Sequence, residues 1–98
     1  MNLTEEQKQD IERLSALGYL PVDIAILIKV PVSVFISEFE NENSEIYYHF
    51  RRGEIQVRAN ADMELMKLAE GGNLTAIQIL HKQEKEKRRK KLLYNLEI

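Results

Sequence analysis

The chain has 98 residues, no cysteine and a formal net charge of −2, with 44% hydrophobic and 31% charged residues. That balance describes one small globular domain and excludes a disulfide scaffold, thiolate chemistry and a disordered chain. The polar start MNLTEEQKQD is not a secretory signal, and the apolar run Ile24 to Ile28 is far too short to span a membrane, so a soluble cytoplasmic protein is expected.

The first predicted helix spans about Thr4 to Leu17. Thr4-Glu5-Glu6-Gln7 forms a capping box, and Ile11, Leu14 and Leu17 give an apolar stripe at helical spacing. Gly18 follows as a left-handed C-cap residue. Pro21 opens a second helix, where its missing amide leaves nothing unpaired, and Ile24, Ala25, Leu27 and Ile28 form the expected buried face. Lys29-Val30 makes a short turn. Pro31 then starts a third helix carrying Val32, Phe35, Ile36 and Phe39. Ala25 sits where two short helices approach closely. The spacing over residues 11–39 is that of a helix-turn-helix.

The polar connector ENENS leads into a fourth helix, with Asn43 or Ser44 as its cap, running from about Glu45 to Glu70 and measuring about 39 Å at 1.5 Å per residue. Gly53 lies inside it at a cost of about 1 kcal/mol relative to Ala, which predicts a neighbouring helix close against that position. Two apolar rows run along this helix. One holds Ile46, Phe50, Val57, Ala61, Leu65 and Leu68; the other holds Ile55, Ala59, Met63 and Met66. A single buried stripe is enough for a monomer's surface helix. The second row is therefore expected to meet either another part of the chain or another subunit.

Gly71-Gly72-Asn73 breaks that helix, and Asn73 caps a fifth in which Leu74, Ile77 and Leu80 are expected to face back onto the fourth. From Lys82 to Lys91 apolar residues vanish, and Glu84–Arg88 and Glu86–Lys90 stand at helical ion-pair spacing. The expected architecture is all-α: a helix-turn-helix head of three helices over residues 1–43, then a long antiparallel helical hairpin with a basic extension over residues 44–98.

Charge divides the chain. Residues 1–50 carry nine acids against three bases, whereas residues 51–98 carry eleven bases against seven acids. Nucleic-acid contact is thus expected mainly on the second half. The third helix contains no base, so only Ser33 and Ser37 can hydrogen-bond to DNA, with Val34 able to meet a thymine methyl. Arg51, Arg52 and Arg58 can hold phosphates, or can pair with Glu54 and with acids of the head. The basic run Lys85, Lys87, Arg88, Arg89, Lys90 and Lys91 can neutralise several phosphates without regard to sequence, or remain a solvated helical face. His49 and His81 stand alone, and neither a metal site nor a cofactor loop is expected. No nucleophile and base occur in a recognisable pattern, so no catalysis is expected.

The segment YYHFRRG at Tyr47 to Gly53, and Leu65-Met66-Lys67-Leu68-Ala69-Glu70-Gly71-Gly72-Asn73-Leu74-Thr75-Ala76-Ile77 after it, resemble the small subunits of phage DNA-packaging terminases. The first is similar to that family's entry into a long helix and the second to its hairpin turn; with the helix-turn-helix spacing the likeness covers most of residues 11–80. It implies a non-catalytic subunit that recognises double-stranded DNA, forms a homo-oligomeric ring through its central helices and recruits a large motor subunit, within a bacterial host cell. The oligomerisation residues would be Ile55, Val57, Met63, Leu65, Met66, Leu68, Ile77 and Leu80, with Phe50 among the core. Leu92, Leu93, Leu96 and Ile98 would form a tail for the motor. Two other functions fit the residues: a dimeric helix-turn-helix transcriptional regulator, and an adaptor that binds protein only.

Overall fold

The computed structural model describes residues 2–97, with side chains for residues 2–93, and among these the protein is all-helical, with five helices and no strand. They are α1 (Glu5–Ala16), α2 (Pro21–Leu27), α3 (Val32–Phe39), α4 (Glu45–Glu70) and α5 (Leu74–Glu97). Two compact units result, residues 1–59 and residues 60–98, and α4 contributes to both.

The first unit is built on α1, α2, α3 and the first part of α4. The capping box forms at the start of α1: Thr4 Oγ1 accepts from the Gln7 amide and Gln7 Oε1 from the Thr4 amide, both at 3.0 Å. Two bonds close the end of α1, Gly18 N–H to Ser15 O and Tyr19 N–H to Leu14 O, with Gly18 at φ +90°. This is the left-handed exit that glycine permits at no steric cost. The same bonding pattern ends α2, from Lys29 to Ile26 O and from Val30 to Ala25 O, but here the left-handed position (φ 62°) is filled by Lys29. A lysine pays the Cβ penalty that a glycine avoids. The turn it makes brings α3 against α2.

Ile11, Ile24, Phe35 and Ile46 are fully buried, one from each of the four helices, and Ala25, Val30 and Phe50 complete the core. Burying each large side chain contributes about 1.5–3 kcal/mol. Phe39 meets Phe50 edge-on, with ring centroids 4.9 Å apart, which ties the end of α3 to α4. Ser44 is the cap of α4. Its hydroxyl accepts from the Tyr47 amide at 3.1 Å and donates to the Glu38 carbonyl at 2.5 Å, joining the ends of the two helices.

Four positions differ from the expected buried faces. Leu17 and Leu27 are exposed, because α1 stops at Ala16 and α2 turns Ile24 and Ala25 inward rather than Leu27. Val30, expected only as part of a turn, is buried in the core. Leu74, expected to face α4, is exposed as the first residue of α5.

In the second unit the turn between α4 and α5 is closed by Gly72 N–H to Ala69 O and Asn73 N–H to Leu68 O, with Gly72 at φ +88°. Asn73 Oδ1 then accepts from the Ala76 amide at 2.9 Å, capping α5. Ala76 is buried, Leu65, Ala69, Ile77 and Leu80 are half-buried, and Lys87 meets Asp62 at 3.9 Å. The fifth helix continues unbroken through the basic run to Glu97.

Candidate nucleic-acid interface

The exposed residues of α3 are Val32, Ser33, Val34, Ser37 and the C-cap Glu40. Ser33 and Ser37 stand four residues apart on one face, as their spacing requires. That face offers two hydroxyls, apolar surface and a carboxylate, and no cation for a phosphate.

Arg51 and Arg52 are engaged by carboxylates. Arg51 Nη1 lies 2.7 Å from Glu54 Oε1, one turn along α4. Arg52 Nη1 lies 2.5 Å from Glu12 Oε1 on α1, while Glu12 Oε2 takes His49 Nδ1 at 2.5 Å. One carboxylate therefore bridges two side chains of α4. Burial pushes the Glu12 carboxyl up, but the hydrogen bonds and charges of His49 and Arg52 outweigh it and hold it below 4.5. Gly53 makes this contact close: a Cβ there would overlap Ser15 Oγ and the Glu12 carbonyl. Ser15 Oγ in turn donates to the Glu12 carbonyl at 3.0 Å. The neighbour predicted beside Gly53 is α1. Arg58 is exposed and has no ion pair among the described residues.

Along α5, Lys85, Lys87, Arg88, Arg89, Lys90 and Lys91 are all exposed. Lys87 pairs with Asp62, and Arg88 with Glu84 at 2.9 Å. The expected Glu86–Lys90 pair is absent from the ion pairs of the described residues, and Lys85, Arg89, Lys90 and Lys91 likewise have none. Lys82, Lys85 and Arg89 follow an i, i+3, i+7 progression, so they share one face of α5, opposite the half-buried Leu80 and the Asp62-facing Lys87. Lys82 was not among the residues singled out from the sequence. Its spacing to Lys85 and Arg89 was the signal.

The residues expected at an oligomer contact separate into two groups. Leu65, Ile77 and Leu80 are half-buried within the second unit. Met63 and Met66 are 55% and 54% exposed, Leu68 is equally open, and Ile55 and Val57 in the first unit are exposed as well. Phe50 belongs to the core of the first unit. Ile55 lines a groove of about 420 Å³ with Tyr47, Tyr48, Arg51, Arg52 and Ala59 among its walls. Of the tail, Leu92 and Leu93 are exposed; the side chain of Leu96 and all of Ile98 lie outside the described residues.

No group of three His, Asp or Glu side chains with metal-binding geometry occurs among the described residues, nor is any helix there long and apolar enough to cross a membrane. Compared with family models, curated proteins and solved structures, the chain matches none.

Proposed function

We propose that the chain is a non-catalytic DNA-binding adaptor similar to the terminase small subunits, acting as a homo-oligomer that presents double-stranded DNA to a motor subunit. The observation that carries this reading is the face of α5 formed by Lys82, Lys85 and Arg89. Its cations have no acid partner among the described residues, whereas Arg51 and Arg52 are already paired. Free cations on one helix face attract the phosphate backbone whatever the base sequence. Each copy supplies only a few such contacts, so useful affinity comes from several copies engaging one duplex. The exposed Met63 and Met66 supply an apolar surface for that assembly, and methionine adapts readily to a partner's shape.

On this reading α3 is not the principal reader of the helix-turn-helix. The phosphate contacts come from α5, and any contribution from Ser33 and Ser37 is secondary. A specific dimeric regulator fits less well, because base recognition in the major groove draws on side chains that the exposed face of α3 lacks.

Fluorescence anisotropy of a labelled duplex, titrated with protein at several salt concentrations, tests the proposal. Binding that weakens steeply with salt, and is abolished when Lys82, Lys85 and Arg89 are replaced by Glu, supports it. Absence of binding at low salt supports instead the protein-only adaptor, which the excess of acids in residues 1–50 and the base-free face of α3 favour.

A further inference from the structure

Six residues at the junction of α1 and α2 form an uncovered surface: Leu17, Leu20, Val22, Asp23, Ile26 and Leu27. Leu17 is 75% exposed and Ile26 61%, and Leu17, Leu20 and Asp23 line one hollow of about 190 Å³. Val22, Asp23, Ile26 and Leu27 share the outward face of α2, whose other face carries the buried Ile24 and Ala25. Isolated exposed leucines are ordinary, but a contiguous apolar face marks a contact. Asp23 is an exposed carboxylate in its midst, with no ion pair among the described residues.

Charge decides the occupant. A second copy of the same face would set Asp23 against Asp23, which opposes self-pairing. An apolar segment with a neighbouring cation fits, and the excess of acids in residues 1–50 favours it further. The end of α5 offers such a segment. Leu92 and Leu93, 64% and 54% exposed, lie three and four residues beyond Arg89, and so on the same face of α5 as that unpaired cation.

We infer that the end of α5 docks on the outward face of α2 in another copy of the chain, with Leu92 and Leu93 on the apolar surface and Arg89 beside Asp23. The contact joins unlike surfaces, so it is heterologous and builds a ring or a filament rather than a twofold dimer. It gives Leu92 and Leu93 a seat within the assembly instead of on a motor subunit. It takes Arg89 from the phosphate-binding face and leaves Lys82 and Lys85. The inference rests on the homo-oligomeric part of the proposed function, and its test needs no DNA.

Because the sequence has no cysteine, single-cysteine variants report the contact cleanly. An Ile26→Cys protein and a size-tagged Leu93→Cys protein are mixed, oxidised and separated without reductant. The expected main product is the mixed disulfide, lost when Asp23→Arg is added to the first protein and restored when Arg89→Asp is added to the second. The inference is overturned if only Ile26→Cys pairs with itself, if no mixed product forms, or if a chain carrying both cysteines closes only within itself. The native mass of the unmodified protein reports the oligomer separately, so an oligomer without the mixed disulfide refutes this contact alone.

Discussion

Gly53 on α4 stands so close to Ser15 on α1 that any side chain at position 53 would overlap the serine hydroxyl. The same hypothetical Cβ would also overlap the Glu12 carbonyl, which is backbone and cannot rotate away. Gly53→Ala therefore sets two effects against each other. Alanine gains about 1 kcal/mol of helix propensity, while overpacking costs about 1–3 kcal/mol. The backbone contact makes the second effect win, and a net loss of stability is expected as a lower urea midpoint. A raised midpoint would mean that α1 does not press on α4 at this position.

Glu12 gives the same junction a dependence on pH. Its carboxyl is held below 4.5 in the folded protein, so its ionised form favours folding. The stabilisation is fully present above 4.5, the ordinary value, and is lost as pH falls through the lower folded value. Glu12→Gln removes the charge that His49 and Arg52 share, at an expected cost of about 1–2 kcal/mol, moderated by the half-exposed Arg52. Urea midpoints of the two proteins should differ above 4.5 and converge in acid. Parallel curves throughout the acid range would count against the bridge.

Lys29 carries the left-handed φ of 62° at the exit from α2. Glycine adopts this conformation freely, and relief of the Cβ strain, about 1 kcal/mol, exceeds what glycine loses through its freer unfolded chain. The net gain is a fraction of 1 kcal/mol, so Lys29→Gly is expected to raise Tm by less than about 4 °C in a domain this size. An unchanged or lower Tm would show that the lysine side chain contributes something its exposed position does not reveal.

Much of the fold was legible because local chemistry and tertiary packing agree. Thr4 and Gln7, Gly18, Gly71-Gly72 and Asn73 mark their helix ends by mechanisms that need no distant partner, and α4 begins and ends where periodicity placed it. Gly53 was informative for the opposite reason, since an unfavourable residue inside a helix called for a close neighbour. Leu17, Leu27 and Leu74 were misplaced because helical spacing identifies apolar faces without saying how much of each a small protein can cover. The chain of Arg52, Glu12 and His49 spans 40 positions of sequence, and no local pattern links its members. The pairing of Arg51 with Glu54 is local, and its spacing allowed both pairing and phosphate contact.

The face of α5 predicts a numerical salt response. Each phosphate contact contributes about 0.9 to the slope of log K against log salt on duplex DNA. Replacing Lys82 and Lys85 with Ala should flatten that slope by about 2 if each meets one phosphate. Replacing Arg51 with Ala, whose guanidinium is occupied by Glu54, should leave it unchanged. The reverse pattern would move the interface to α4.

Assembly is central to the proposed function, and the exposed Met63 and Met66 would supply its surface. Native mass by light scattering after size exclusion tests it most directly, with Met63→Glu/Met66→Glu as the companion variant. One closed species larger than a dimer, reduced to smaller species in the variant, is the predicted result. A monomer at micromolar concentration would contradict it.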